Sequence, residues 1–298
     1  MISIIFKKSV IPFVVALFFL TSASNLYAQF TIPARNADAP VGSEVYEQIR
    51  TLRLDEREAV IVDAFLSGNV PEWLRREVRI EVESADKNGA LHQVTFWILP
   101  DYLAFGSDND FFRIPMSPLS AQLIADTWGA ALPTPKIVDI IYEHSVCKLA
   151  PFNYKPRGHR NEEVDLFYDH SKVISAQQFA SGTPYGAFTA GTKKDIVICD
   201  RLSDTSRIDH VTIYGWHTLN GRPIQPVTNV HINNYIDYSH GVRLVAQTVL
   251  VDGQAFRLEE LLSDPLYYTL LSRDPEPLQK PHYRGEQWHN KITEEGNY

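Results

Sequence analysis

The sequence predicts an α+β fold: a single mixed domain with helices mainly in the N-terminal half and antiparallel or mixed strands in the C-terminal half. Three observations predict it. Apolar residues at helical spacing recur from Val45 to Phe179. Short Val- and Ile-rich runs bounded by turn residues follow from Asp195 to Gly253. No repeat or low-complexity linker separates the two regions.

The elements follow in order. "MISIIFKKSVIPFVVALFFLTSASNLYAQF" places Lys7 and Lys8 before an apolar run from Ile11 to Leu20, then small and polar residues. Residues 1–28 therefore read as a signal peptide cut after Ala28, with Ala23 as the alternative cut and an uncleaved anchor as the competing reading. Residues 29–42 read as an extended lead-in. Two helical stretches follow, one with Val45, Ile49 and Leu52 and one with Ala59, Val62, Phe65 and Leu66, stopped by Gly68–Asn69. "VPEWLRRE" adds a short helix. "VRIEVESADKNGALHQVTFWIL" is a hairpin around Asn88–Gly89.

Ser117 caps a helix that has Pro118 in its first turn and Gly129 past its end. "PTPKIVDIIYEHSV" and "EEVDLFYDHSKVISAQQFASG" give two more helices, and "DIVICD", "HVTIYGW" and "VRLVAQTVLVDG" give strands. "LEELLSDPLYYTLLS" is a helical close interrupted at Pro265, so the domain is expected to span residues 43–272. A flexible tail is expected over 273–298, where a Trp288–His289 pair reads as inert.

The chain has 298 residues, 28 basic and 36 acidic, with 44% hydrophobic content. Loss of residues 1–28 removes two lysines and no acid, leaving a net of −10. So acidic a product argues against nucleic acid or an anionic membrane surface as partner. No stable membrane insertion is expected after signal cleavage. Cys147 and Cys199 are the only cysteines. An exported compartment permits a disulfide between them without specifying one.

The densest polar grouping is "IYGWHTLNGRPIQPVTNVHINNYIDYSHGVRL". It brings His217, His231 and His240 close in sequence to Asp237, Ser239 and Arg243. A neutral imidazole takes a proton from a hydroxyl or ligates a metal, and a nearby carboxylate fixes its tautomer. The competing reading has the histidines bonding loop backbone while Asp237 and Arg243 pair. As a strand, residues 235–243 would put Asp237, Ser239 and Arg243 on one face with His240 opposite. As a turn closed by Gly241, Asp237 and His240 would meet.

Two further groupings stand out. In "AGTKKDIVI", Lys193 and Lys194 read either as holders of a substrate carboxylate or as solvated charge at a strand end. In "GSDNDFFR", Asp108, Asp110 and Arg113 read as a capped surface turn, since the segment lacks the glycine and distal glutamate of a calcium loop.

"SHGVRL" resembles the Ser-His-Gly-Cys-x-Arg signature of L,D-transpeptidases, enzymes that cross-link peptidoglycan through a cysteine thioester, with His217 or His231 in place of that family's upstream histidine. No cysteine lies between Gly241 and Arg243, so no catalytic role is carried over. More broadly, "PDYLAFGSDNDFFRIPMSP", "AGTKKDIVI", "IYGWH", "PIQP" and "YIDYSHGVRLV" are similar to a family of secreted bacterial proteins, some with cell-wall-binding modules. That resemblance implies a periplasmic or secreted location and a cell-envelope or polysaccharide partner.

The expectation is a secreted hydrolase or transferase acting on a cell-envelope or extracellular polymer. His217, His231 and His240 would supply base and acid, Asp237 orientation and Ser239 a nucleophile. Lys193, Lys194 and Arg243 would meet substrate anions, and Trp216 and Tyr238 sugar rings. No cofactor is required. The alternatives are a zinc hydrolase using His217, His231 and His240, and a non-catalytic polysaccharide- or cell-wall-binding protein.

Overall fold

Helix borders follow from their capping groups. In a computed structural model that describes residues 30–155 and 158–283, α1 (Gly42–Ile49) and α2 (Leu54–Leu66) each begin where a glutamate three residues in reaches back to a free N–H. Val41 N donates to Glu44 at 2.9 Å and Arg53 N to Glu56 at 3.0 Å. Val45, Ile49, Ile61, Val62 and Phe65 turn inward. The signal segment 1–28 and the Trp288–His289 pair lie outside the described residues. Among those residues no helix is long and apolar enough to cross a membrane.

The hairpin forms from β1 (Val78–Ala85) and β2 (Leu91–Ile98), paired in full register from Val78–Ile98 to Ala85–Leu91. Asp86 closes its loop by accepting the N–H groups of Asn88 and Ala90. A second, short hairpin joins β3 (Ala104–Gly106) and β4 (Phe111–Arg113). In α3 (Pro118–Thr127) Ser117 accepts from Ser120 N. After β5 (Ala130–Ala131), Thr134 does the same for Ile137 N in α4 (Pro135–His144). β6 (Cys147–Lys148) pairs in parallel with β7 (Thr189–Ala190) across α5 (Val164–Ala180).

The C-terminal half is mostly strand: β8 (Lys194–Ile196), β9 (His210–His217), β10 (Pro223–Ile232), β11 (His240–Gly241), β12 (Val245–Ala246), β13 (Thr248–Val251) and β14 (Gln254–Arg257). Helix α6 (Leu258–Ser263) follows. The result is one α+β domain with α1–α4 in the first half and β7–β14 in the second. The larger sheet mixes the halves, because β2 takes β1 on one side and both β12 and β13 on the other. The smaller sheet runs β10-β9-β8-β11, and its β8–β11 pairing is parallel. Helix α4 packs on β9. Trp128, Phe65, Phe96, Phe105, Phe112 and Phe167 are fully enclosed in the main core.

Two expectations are corrected here. Residues 273–283, read as the start of a mobile tail, are tied down: Leu278 is buried, and the Tyr283 hydroxyl donates to Val197 O and accepts from Thr212 N. Arg113, read as part of a surface turn, is fully buried and grips Asp101. Asp110 keeps a surface role, accepting from Ser43 N at the start of α1.

Cys147 and Cys199 are both free and buried. Cys147 packs with Leu149 and Ile174, while burial first of all pushes the Cys199 thiol up to about 12. Neither thiol is expected to react with iodoacetamide in the native protein, and a reductant should leave the melting temperature unchanged. Labelling by mass spectrometry before and after denaturation checks this. Rapid native labelling would contradict the burial.

Candidate functional site

The smaller sheet carries polar clusters on both faces. Lys194 lies in register between Gly215 on β9 and His240 on β11, and Asp195 between Tyr214 and Gly241. Lys194 projects to one side, with its ammonium over the Trp216 ring at 5.1 Å. Asp195 projects to the other, accepting from the Tyr102 hydroxyl at 3.0 Å.

Strict alternation along β9 would put Tyr214 and His217 on opposite faces. They nonetheless share a partner, Asp139. The slip occurs where Gly215 (φ +106°) and Trp216 (φ +58°) adopt positive φ. A Cβ at Gly215 would face Val138, Asp195 and His217 within 3.5 Å, so position 215 needs glycine for its φ as well as its space. Trp216 is strained for a bulky residue, and its backbone is held by an N–H bond to Lys193 O at 3.0 Å.

On the α4 face, His217 Nε2 lies 2.9 Å from Asp139 Oδ1, which also accepts from the Tyr214 hydroxyl at 2.8 Å. Arg273 bonds the other carboxylate oxygen. Burial opposes a charge on Asp139, yet the donors from His217, Tyr214 and Arg273 outweigh it and hold the carboxyl below its ordinary range. An ionised carboxylate only accepts, so Nε2 carries the proton and Nδ1 is the lone-pair nitrogen. Nδ1 has no hydrogen-bond partner among the described residues, and His217, only 3% exposed, lies on the edge of an adjoining space. That space is a cavity of 570 Å³ lined by Asp139, Tyr142, Lys148, Tyr214, His217 and Asn220 among others. The imidazole stacks on Tyr142 at 4.6 Å, and the Tyr142 hydroxyl is anchored on Thr218 O at 2.8 Å.

On the opposite face the 237–240 segment is a turn, resolving the two readings of "YIDYSHG". Asp237 accepts from Ser239 N at 2.7 Å and from the Ser239 hydroxyl, while His240 N donates to Asp237 O at 3.1 Å. His240 Nε2 stands 3.9 Å and Lys194 Nζ 3.8 Å from Asp237 Oδ2. His231 stacks on Tyr235 at 4.2 Å, and both are only partly buried. Lys193 is buried, with its ammonium on Tyr238 O at 2.6 Å. Gly241 is required by contact, since a Cβ there would stand 2.7 Å from both Lys193 and Tyr102 carbons.

Burial dominates the electrostatics of this face. It lowers His240 to about 4 and Lys193 to about 7. It opposes the charge on Asp237, but His240, Lys194 and the Ser239 donors hold that carboxyl at about 2. His240 is thus neutral in the fold and titrates near 6.5 when unfolded. Between pH 6.5 and 4 the unfolded chain binds the proton first, so this group's contribution falls with falling pH, by about 3 kcal/mol in all. Asp195, raised by burial to about 6, acts with the opposite sign between its unfolded value and 6. The difference in urea-unfolding free energy between wild type and His240→Gln is therefore the quantity to follow. It should narrow as pH falls from 6.5 to 4, and a pH-independent difference would refute the buried neutral imidazole.

Several expectations are corrected by these positions. The three histidines do not converge, because His217 lies across the sheet from His231 and His240. The zinc arrangement is not formed. Among the described residues only Cys199, Asp200 and Asp274 bring three ligand atoms within 4.8 Å, with the cysteine held as a thiol. Ser239 is buried, and its hydroxyl is bonded to Asp237 rather than to a histidine. Lys193 is not on a rim. Arg243 does not meet an anion or pair with Asp237: fully buried, it donates to Leu99 O and Thr189 O and covers the Tyr102 ring at 4.6 Å. Trp216 and Tyr238 are too buried to stack on a sugar.

Asp139 was missed, although the sequence carries a signal for it: a single acid inside "KIVDIIY", surrounded by the apolar residues of an amphipathic helix. Arg273 was missed because it was assigned to the tail. Comparison of the chain with models of protein families, with curated proteins and with solved structures finds no match.

Proposed function

We propose that the chain is a secreted hydrolase or transferase acting on a cell-envelope or extracellular polymer, with His217 as its general base. The observation that carries this reading is the His217–Asp139 pair on the wall of the 570 Å³ cavity. Asp139 fixes the tautomer and supports the imidazolium that forms when Nδ1 takes a proton, while Tyr214 and Arg273 hold Asp139 in place. With Ser239 committed elsewhere, the nucleophile is a water or an acceptor hydroxyl brought by the substrate. Lys148 and Asn220 offer polar contacts on the cavity wall. Export and a polymeric substrate rest on the leader-like N-terminus, the net negative charge and the resemblance to secreted proteins.

The test is incubation of the purified protein with peptidoglycan sacculi and with neutral and acidic polysaccharides, with products read by liquid chromatography and mass spectrometry. Turnover that disappears in His217→Ala supports the reading. Turnover unaffected by that change overturns the assignment of the base. Retention of polymer without turnover in wild type and variant alike makes the chain a binding protein.

A further inference from the structure

The His217 cavity has a neighbour. A second cavity, of 330 Å³, is lined by Pro135, Asp200, Arg201, Val227 and Arg273 among others, and Tyr214 lines both. Their walls follow one order. Along α4, Pro135 borders the second cavity while Asp139, Tyr142 and Glu143 border the first, and these four positions share one face of the helix. Along β10, Val227 borders the second cavity and Pro223 the first. Val227 packs with Val138 and Tyr214, joining strand to helix. Arg273 and Asp139, one from each cavity, are bonded where the two meet. The cavities therefore lie end to end in one furrow between α4 and β10. Pro135 to Glu143 is about 12 Å of helix at about 1.5 Å per residue. Pro223 to Val227 is about 13 Å of strand at about 3.3 Å per residue, so the two walls match in length. Both ends are exposed, at Lys148 and Asn220 on one side and at Asp200 and Arg201 on the other.

We infer that this furrow holds a segment of a linear glycan, lying along α4 from Asn220 past His217 to Arg201. The inference rests on the proposed function and names its substrate class. The wall chemistry sets that class. A sugar hydroxyl both donates and accepts, and each end of the furrow offers both kinds of partner: Glu143 with the Asn220 amide, and Asp200 with the Arg201 guanidinium. Acids and bases are interspersed, so no charge on the glycan is required. A peptide would instead seek a strand edge to pair with. The edge strand beside the furrow is β10, and its Pro223 and Pro226 have no N–H to give.

The experiment is isothermal titration of the full chain with chitin oligomers and with oligogalacturonates, each graded from dimer to hexamer, and with hexa-alanine. Affinity for one glycan series should rise at least tenfold from dimer to hexamer, and hexa-alanine should bind at least tenfold more weakly than that hexamer. The series that binds tighter assigns the glycan as neutral or acidic. Asp200→Ala with Arg201→Ala, two exposed positions at the far end, should weaken the hexamer at least fivefold and the dimer less, flattening the gain. Should the pair not fold, Arg201→Ala alone is read in the same way. Turnover in His217→Ala is scored separately. Turnover retained alongside the length dependence removes the base and keeps the furrow. Turnover lost where affinity ignores length keeps the base and overturns the furrow. Hexa-alanine binding tighter than either hexamer, no binding in any series, or an unchanged length dependence in the far-end variant would overturn it as well.

Discussion

Under the proposed function, replacing His217 by alanine is expected to reduce polymer turnover by about 10²–10⁴-fold, the range that a positioned general base contributes. Asp139→Asn should fall in the same direction, because an amide accepts the Nε2 proton but no longer supports the imidazolium. The loss should appear in kcat more than in KM, since Nδ1 acts on the reacting proton rather than on the bulk of the substrate. Folding should survive: His217 lines a cavity, and its removal sacrifices the ring contacts with Tyr142 and Tyr214 and one hydrogen bond. Far-UV circular dichroism and melting of each variant accompany the kinetics. Turnover within threefold of wild type would remove His217 from the chemistry.

The largest loss of stability is expected from Asp101→Ala. Arg113 and Asp101 are both fully buried, with Arg113 Nη2 2.7 Å and Nε 2.9 Å from Asp101 Oδ2. The remaining guanidinium donors reach Ser175 Oγ and Gln178 Oε1 on α5, both at 2.9 Å, and the other carboxylate oxygen accepts Tyr102 N at 2.7 Å. The pair therefore ties the end of β2, strand β4 and helix α5 together. Removing the carboxylate leaves an enclosed cation without a counter-charge, at a cost of about 3–5 kcal/mol. Replacing both residues, as Asp101→Ala with Arg113→Met, should recover a large part of that loss, because no orphaned charge remains. Urea denaturation gives both values. A single variant as stable as wild type would show that the ion pair adds nothing beyond what its desolvation costs.

The legible parts of the fold were those specified by local chemistry. Ser117 and Thr134 stand before proline-started helices, and the 78–98 hairpin carries its turn in its own sequence. The illegible parts were decided by distant partners. Nothing near Arg113 names Asp101, twelve residues earlier, as its counter-ion, and nothing near Arg273 announces Asp139. For the candidate site, the histidines were visible as residue types, but their grouping was not. Sequence proximity placed His217 with His240, whereas the sheet places them back to back. The deciding detail, positive φ at Gly215 and Trp216, leaves only a glycine as its trace in the sequence.

That irregularity in β9 also shapes how the protein can change over evolutionary time. Point substitutions on Tyr214 or His217 alter one face of the sheet and those on Lys194 or His240 alter the other, so each can diversify alone. Loss of the positive φ at Gly215–Trp216 at unchanged length would instead restore plain alternation and carry the imidazole away from Asp139. Lineages of this chain should therefore keep glycine at position 215, while the 218–222 turn, whose residues are largely exposed, tolerates change in sequence and length.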